Sequence, residues 1–330
     1  MSTLPAADAL TRGRQALRRL ADPVVLAYIL AAALFVFGQV LSPGFLSGPQ
    51  ILNVLRVSSF LGIVAAGQTL VVIAGSEGID LSVGATMSLA AVMTAHITLA
   101  QDHLLLKALA IVLLVGLVLG AVNGLGIAYL RIPPLVMTLG MSGVIQGLTL
   151  VYTQGQPKGR AAPLLNKIVV RPWILGIPGI LILWLIIALA VALLLQRSSF
   201  GRRLYAVGSN RNAAALSGVN TEGILVTAYA LSGMFAALAG YLFVGYTTTV
   251  FLDIGGDYVL RSVAAVVVGG TSLAGGTGSY AGSIAGSIVL TVLSAILTTL
   301  RMGAAGRQVV HGIVLILLLA AYGRQRALRQ

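Results

Sequence analysis

Long apolar stretches separated by short polar connections dominate this sequence of 330 residues. A run of roughly 20 apolar residues is long enough to cross the hydrocarbon core of a bilayer as a helix, and about ten stretches here meet that length. They cover residues 24–41, 51–75, 83–100, 104–130, 134–152, 173–195, 221–245, 258–271, 279–300 and 304–322. The sequence therefore predicts an all-α polytopic membrane protein.

The composition supports this prediction. The chain is 58% hydrophobic and 9% charged, whereas an ordinary soluble domain carries about 25% charged residues. A soluble protein of this size could not hide so much apolar surface. The chain has no cysteine, which excludes disulfides and thiolate metal sites, and its three histidines show no metal-ligand spacing. We expect no metal site and, because no Ser/His/Asp arrangement is present, no catalytic residue.

The basic residues indicate how the chain crosses the membrane. The net charge of +13 lies in short loops and tails, so it indicates topology rather than nucleic-acid binding. With both termini in the cytoplasm, more than half of the 21 Lys and Arg residues face inside. These residues lie in the tail 1–22, at Arg131, in the loop 196–220 and in the C-terminal tail. The predicted outer loop 153–172 also carries basic residues and is a partial exception.

A polar break at Glu77 and Asp80 interrupts the apolar sequence. The chain has only eight acidic residues, and carboxylates inside a membrane segment are costly and usually functional. The alternative is a short loop at the membrane surface. Because Asp80 and Ser82 directly precede the next span, we expect Asp80 to stabilise the N-terminus of a half-helix. Asp257 holds the same place before the span 258–271.

A short similarity follows each of two polar breaks. Residues 88–92 read Ser-Leu-Ala-Ala-Val, and residues 262–266, after a break at 253–257, read Ser-Val-Ala-Ala-Val. In the predicted topology the two breaks lie toward opposite faces of the membrane. Because paired interrupted segments are typical of inverted repeats, we expect broken or re-entrant helices related by an inverted repeat.

Two further sets of residues lie inside the spans. Glycines recur every four residues, and such small residues let helices approach closely, which predicts helix contacts more than a pore lining. These glycines are Gly116, Gly120 and Gly124, and Gly278, Gly282 and Gly286. Uncharged polar residues suit either a hydroxylated solute or interhelical hydrogen bonds, and the sequence leaves both roles open. These residues are Gln68, Asn123, Thr138 and Gln146.

The loop 196–220 is the longest cytoplasmic connection and carries its own helix signals. Ser209 or Asn210 suits the N-cap, residues 212–217 favour a helix, and Gly218 suits the position after its end. A helix this short is marginal alone in water, so it needs a partner surface. The alternative is a helix lying on the lipid headgroups, with its arginines on anionic lipid.

Three motifs in order resemble the ribose-type permease subunits of bacterial ATP-binding-cassette (ABC) sugar importers over about residues 50–320. They are Gly-Ile-Asp-Leu-Ser-Val-Gly at 78–84, Gly-Arg-Arg-Leu-Tyr-Ala-Val-Gly-Ser-Asn at 201–210, and Ala-Ala-Val-Val-Val-Gly-Gly-Thr-Ser-Leu-Ala-Gly-Gly at 264–276. The chain departs from the family at Glu77, where glycine is more common, and at Gln146, where arginine is common.

The resemblance implies a single transmembrane permease domain over 1–330, in the bacterial inner membrane. It implies a second permease copy or homologue, a cytoplasmic ATPase docked on the loop 196–220, and a periplasmic binding protein that delivers a sugar and contacts the periplasmic loop 153–172. ATP and magnesium belong to the ATPase, and this chain needs no cofactor. The absence of a phosphate-binding Gly-x-x-x-x-Gly-Lys-Ser/Thr loop agrees with a separate ATPase.

The candidate site residues have two roles, the first implied by the resemblance and the second indicated mainly by the polar residues of the spans and breaks. The ATPase-coupling residues are Gly201, Arg202, Tyr205, Gly208, Asn210, Ala213, Ala214, Ser217 and Gly218. The residues of the translocation pathway or the broken-helix motif are Gln68, Glu77, Asp80, Ser82, Asn123, Thr138, Gln146 and Asp257. The alternative function is an ion-coupled secondary transporter or facilitator, in which Glu77 and Asp80 couple to the ion and no ATPase is needed.

Overall fold

The computed structural model describes residues 22–75 and 78–327, so Glu77 and almost all of the tail 1–22 lie outside the described residues. Within these ranges the regular secondary structure is helical apart from one small hairpin. The helices are α1 (Pro23–Leu41), α2 (Gly48–Ile73), α3 (Val83–Thr98), α4 (Leu105–Ala128), α5 (Pro134–Thr153), α6 (Pro163–Val170), α7 (Gly179–Arg197), α8 (Ser199–Ser209), α9 (Arg211–Leu216), α10 (Thr221–Thr247), α11 (Tyr258–Val268), α12 (Tyr280–Thr299) and α13 (Ala304–Ala327).

Seven of the described helices are long and apolar enough to cross a membrane, namely α1, α2, α4, α5, α7, α10 and α12. Two shorter apolar helices, α3 and α11, follow the two polar breaks. The prediction of an all-α polytopic membrane protein with broken segments is therefore confirmed, because hydrophobic length is a local property that the sequence carries directly.

The predicted span 173–195 is wrong at its start, since α7 begins only at Gly179. Pro172–Ile174 (β1) and Ile177–Pro178 (β2) pair as an antiparallel hairpin. The two residues between them, Leu175 and Gly176, both have positive φ, as the tight hairpin turn requires. The short helix α6 in the loop 153–172 was also not predicted.

The helix ends gather at two opposite ends of the molecule. At the α8 end, the loop after α11 meets the end of α2, where the Gly276 N–H donates to the Ile73 carbonyl at 2.9 Å. At the α6 end, the Ala161 N–H donates to the Thr248 carbonyl at 3.2 Å. The Thr98 hydroxyl, at the end of α3, donates to the Arg160 carbonyl there at 3.3 Å.

The short helices α3 and α11 begin inside the protein and run to opposite ends. The N–H of Gly255, just before α11, donates to the Ser88 hydroxyl of α3 at 2.9 Å, and a side chain on Gly84 would clash with Gly255. From this junction α3, with 16 residues, spans about 24 Å to the α6 end, and α11, with 11 residues, spans about 16 Å to the α8 end. The two breaks thus lie toward opposite ends, as an inverted repeat requires.

The glycine repeats are helix contacts, as the sequence predicted, except at Gly278, which precedes α12 and lies against the Thr271 side chain. A methyl group on Gly116, Gly120 or Gly124 of α4 would meet the backbone of α10. Gly282 and Gly286 of α12 lie in the same way against the backbone at Gly269 and Ala265, at the end of α11 and within it. These contacts place α10 at the centre of the bundle and fix the position of α4 against it.

Candidate functional site

Asp80 lies in the break before α3 and is completely buried. Its Oδ1 accepts hydrogen bonds from the Ser82 N–H at 3.0 Å and from the Ser82 hydroxyl at 2.6 Å. Its Oδ2 accepts from the Ser232 hydroxyl of α10 at 2.8 Å. Three donors, from the break and from α10, therefore bind this carboxylate. Buried polar groups need such hydrogen-bond partners because water cannot reach them.

Three other predicted residues join the same network. Gln68 of α2 accepts from the Asp80 N–H at 3.1 Å and donates to the Asp80 carbonyl at 3.2 Å, with its amide oriented to satisfy both groups. Asn123 Nδ2 of α4 donates to the Ser82 hydroxyl at 2.9 Å. The Thr138 hydroxyl of α5 donates to the Ile79 carbonyl at 3.2 Å. The break is therefore tied to four long helices.

This network favours a structural role for its members over contact with solute. Gln68, Asp80, Asn123 and Thr138 are fully buried and Ser82 is nearly so. Gln68, Asp80 and Thr138 bond to the interrupted backbone, while Asn123 Oδ1 has no partner among the described residues. Irregular backbone at membrane depth is tolerated only where other groups satisfy it. Asp80 precedes α3 as expected, but Ser82 holds the N-cap position and Asp80 bonds to it rather than to an amide of the helix.

Sequence reasoning missed two buried residues on α10, Ser232, which belongs to the network, and Tyr229, which makes no hydrogen bond to it. Ser232 holds Asp80 from a distance of 152 residues in the chain. The Tyr229 hydroxyl is buried, and it has no hydrogen-bond partner among the described residues. Neither residue belongs to a motif or a break, so no signal in the sequence distinguished them from other small or aromatic residues of a span.

The loop 196–220 forms two helices, α8 and α9. The Ser198 hydroxyl caps α8 by accepting from the Gly201 N–H at 3.0 Å, and Asn210 Oδ1 caps α9 by accepting from the Ala213 N–H at 3.0 Å. Gly218 has a φ of +80° and donates to the Ala215 carbonyl at 2.9 Å, which ends α9 in a Schellman motif. The cap at Asn210 and the stop at Gly218 lie where the sequence placed them, while α8 was not predicted.

The alanines of α9 do not all face outward. Ala214 is only 5% exposed and packs against the protein itself, whereas Leu216 is 91% exposed. The exposed residues of this helix and its C-terminus, which we call the α9 surface, are Asn212, Ala213, Ala215, Leu216, Ser217 and Gly218. A fully exposed leucine beside small residues can enter an apolar groove on a partner.

The inward side of α8 contacts both interrupted segments. The Tyr205 hydroxyl donates to the Gly278 carbonyl at 2.8 Å. Partial burial raises the pKa of Tyr205 above its ordinary value, so the phenol keeps the proton that this bond needs. Gly208 lies against the carbonyl of Ile73, at the end of α2, and against the N–H of Gly276.

Four glycines form this contact, which we call the glycine joint: Gly75, Gly208, Gly275 and Gly276. A side chain at Gly208 would overlap backbone atoms of both neighbouring segments, and Gly75, Gly275 and Gly276 also have positive φ. Backbone therefore touches backbone at the point where α8 meets the break before α3 and the loop after α11. Of the other predicted coupling residues, Gly201 is buried at the turn from α7, and Arg202 is exposed.

A polar cavity of about 460 Å³ lies between α2, α11, α12 and α13 and contains Asp257. Asp257 holds the N-cap position of α11 as expected, but its side chain makes no capping hydrogen bond there and is exposed. The other polar residues of the lining are Gln50, Asn53, Arg261, Thr291, Ser294, Thr298, Thr299, Arg307, Gln308 and His311.

The remaining predicted residue, Gln146, lies apart from both the network and the cavity. It lines a smaller recess of about 240 Å³ with Ser88, Thr149 and Asp253. Among the described residues, no group of three or more His, Asp or Glu side chains is arranged to hold a metal ion. The eight predicted pathway residues thus divide between a buried network, a polar cavity, a small recess and one position outside the described residues.

Comparison with known proteins places this arrangement in a family. A profile of the family described as "Branched-chain amino acid transport system / permease component" matches residues 50–319. The autoinducer 2 import system permease protein LsrC of Salmonella paratyphi B is 35% identical over 305 residues, which cover 92% of this chain and 87% of the relative. LsrC of Escherichia coli is 35% identical over 303 residues, which cover 92% and 87%.

The matches extend to a relative with a different solute in its name. The ribose import permease protein RbsC of Bacillus subtilis is 36% identical over 287 residues, which cover 86% of this chain and 88% of the relative. No solved structure gives a significant match to the chain.

Proposed function

The chain belongs to this family of ABC importer permeases, and we propose that it forms the translocation pathway for a monosaccharide or similar small polar solute. A separate ATPase drives this transport, and a binding protein on the outer side delivers the solute. ATP and magnesium are bound by the ATPase, and this chain does no chemistry. The proposal places the protein in a bacterial inner membrane with both termini in the cytoplasm.

The α9 surface carries this proposal. The helix has only six residues, yet Asn210 caps its start, Gly218 ends it, and Arg211 pairs with Glu222 of α10 at 3.2 Å. A short helix held at both ends with an exposed leucine is suited to receive a partner, since it is already ordered before docking. Basic side chains nearby also suit lipid headgroups, so the experiment must separate the two surfaces.

The glycine joint supports the same function. It connects α8 to the end of α2 and to the loop after α11 through backbone contacts, and packed backbone resists compression. A movement of α8 and α9, caused by the ATPase, would therefore also move the segment before α3 and the segment after α11. In an importer powered from the cytoplasm, these are the half-helices whose movement would open and close the pathway.

The test is co-purification of the chain with the ATP-binding subunit encoded beside it, for wild type and for Leu216→Glu. Burying one leucine side chain contributes about 1.5–3 kcal/mol, so we expect the charged substitution to weaken the association at least tenfold and to abolish stimulated ATP hydrolysis in lipid. The matched control is Leu175→Glu, because Leu175 is 94% exposed at the opposite end of the molecule.

The control variant should retain both the association and the hydrolysis. The alternative function would be supported if no ATP-binding subunit associates with wild type and the purified chain alone accumulates solute in liposomes under a proton or sodium gradient. Equal loss in both leucine variants would assign the effect to folding rather than to docking.

A further inference from the structure

The cavity between α2, α11, α12 and α13 has both polar and apolar walls. Its volume of about 460 Å³ lies within the range of about 300–1,000 Å³ found for small-molecule sites. It extends from Gln50 and Ala304, at the α6 end, to Ala264 in the middle of α11. It therefore reaches from one end of the molecule to the level at which the two half-helices meet.

Two buried atoms in the walls have no hydrogen-bond partner in the described part of the chain, Arg261 Nε and His311 Nδ1. Neighbouring groups are already engaged: His311 Nε2 lies 2.8 Å from the Ser294 hydroxyl, and the Arg307 guanidinium donates to the Thr298 hydroxyl at 3.2 Å. Because buried polar atoms are nearly always satisfied, the Arg261 and His311 atoms need a polar partner from within the cavity, either water or a solute.

The charges in the lining are unbalanced in favour of cations. The lining contains two arginines, Arg261 and Arg307, and one carboxylate, Asp257. None of these three side chains forms an ion pair within the described residues. The Arg261 guanidinium lies 6.0 Å from the centre of the Tyr258 ring. With apolar walls that include Leu260 and Leu290, a surplus positive charge creates a field that attracts anions.

Hydroxyl groups line the same space. The Thr291 hydroxyl donates to the Ser287 carbonyl of the same helix at 2.8 Å. The Ser294 hydroxyl donates to the Leu290 carbonyl at 2.9 Å. The Thr291 oxygen therefore remains able to accept hydrogen bonds from an occupant, and the Ser294 oxygen, which also lies 2.8 Å from His311 Nε2, keeps one accepting position. A ligand that matches the cavity carries an anionic group for arginine and hydroxyl groups for these oxygens.

We propose that this cavity is a solute site for a hydroxylated carboxylate of sugar size, with the carboxylate on Arg261 and the hydroxyls toward Thr291 and Ser294. This inference rests on the proposed transport function and narrows its substrate class from polar solutes in general to sugar acids. Arginine suits the role because its planar fork matches a carboxylate.

The absence of cysteine from the chain allows a direct test without a partner protein. Ala295→Cys places one thiol in the cavity wall, and Ser47→Cys places a control thiol at the exposed start of α2, at the same end of the molecule. Each variant, as the full chain in lipid nanodiscs, is treated with an anionic and a cationic methanethiosulfonate reagent, and the two labelling rates are compared.

We expect the ratio of anionic to cationic labelling at Ala295→Cys to exceed that at Ser47→Cys by at least about tenfold, because nearby charge in a poorly screened site acts strongly. Adding Arg261→Gln should remove this preference, and adding Arg261→Lys should keep most of it. A ratio equal to that of the control thiol, or one unchanged by Arg261→Gln in a folded protein, would overturn the proposal.

The solute class is tested by protection of the Ala295→Cys thiol from a neutral reagent. D-gluconate should slow labelling, whereas D-glucose and acetate at the same concentration should not, since each supplies only one of the two groups. Protection by glucose equal to that by gluconate, or by acetate alone, would refute the substrate class. These measurements need no ATPase, so failure of the proposed function through lost ATPase association leaves their outcome unaffected.

Discussion

The carboxylate of Asp80 is the most consequential single group in the described structure. It is completely buried in the break before α3, and its two oxygens accept three hydrogen bonds from Ser82 and Ser232. Leaving a buried acceptor without its donor is costly. The stability of the break therefore depends on two hydroxyl side chains, one two residues away and the other 152 residues away in the sequence.

We expect Ser232→Ala to lower the free energy of unfolding by about 1.5–3 kcal/mol, because one donor to a buried carboxylate is lost. The matched control is Ser47→Ala, since Ser47 is exposed and its side chain makes no capping bond. The midpoint of thermal unfolding in detergent should fall for the first variant and stay within error for the second. Equal midpoints would show that Ser232 does not support the break.

At the scale of elements, close approach between helices decides where side chains point. Gly120 of α4 lies directly against the Tyr229 carbonyl of α10, and this contact brings Asn123 within reach of Ser82. Lipid competes equally well for large apolar side chains, so helices in a membrane associate where small residues allow backbone contact. The glycine repeat of α4 thereby positions part of the polar network.

We expect Gly120→Ala to destabilise the protein by about 1–3 kcal/mol, the usual cost of forcing an extra methyl group into a packed contact. Gly147→Ala is the control, because Gly147 lies within α5 with no atom near the added methyl group. Alanine also favours a helix more than glycine does, by up to about 1 kcal/mol, so the control should be neutral or slightly stabilised. Thermal unfolding of the two variants measures the difference.

At the scale of the whole molecule, the glycine joint connects the surface proposed for docking with the two half-helices. Gly208 of α8 contacts the end of α2 and the loop after α11 at the same point. A displacement of α8 would therefore shift both interrupted segments. The α9 surface lies on the next helix and takes no part in this contact. Docking and the transmission of movement are thus separable in this structure.

We expect Gly208→Ala to keep the association with the ATP-binding subunit but to lower the amount of solute moved per ATP hydrolysed at least threefold. The added methyl group would overlap the Ile73 carbonyl and the Gly276 N–H, so α8 has to shift at a cost of about 1–3 kcal/mol. Gly303→Ala is the control, because nothing lies near the added group.

Transport and hydrolysis are measured together in liposomes that contain the whole importer and its binding protein. An unchanged ratio for Gly208→Ala would show that the joint does not transmit movement. Loss of association would instead show that the joint supports the α9 surface itself.

The sequence by itself determined the features that depend on local content. The lengths of the apolar stretches located most of the spans within a few residues. Asn210 and Gly218 predicted the start and end of α9. The polar breaks before α3 and α11 predicted the two half-helices. Each signal lies within one segment, where hydrophobic length or a capping residue acts on its immediate neighbours. The start of α7 was misplaced because an apolar hairpin has the same composition as the beginning of a span.

Only the tertiary structure decided which polar residues meet and which way they face. Gln68, Asp80 and Asn123 are alike in the sequence as polar residues of the spans and breaks, but helix packing buried them in one network. Asp257 instead lines a cavity with Arg261 and His311. Ala214 turned inward and Leu216 outward for the same reason. Side-chain direction follows from the rotation of each helix against distant neighbours, and that rotation is set by backbone contacts between glycines far apart in the chain.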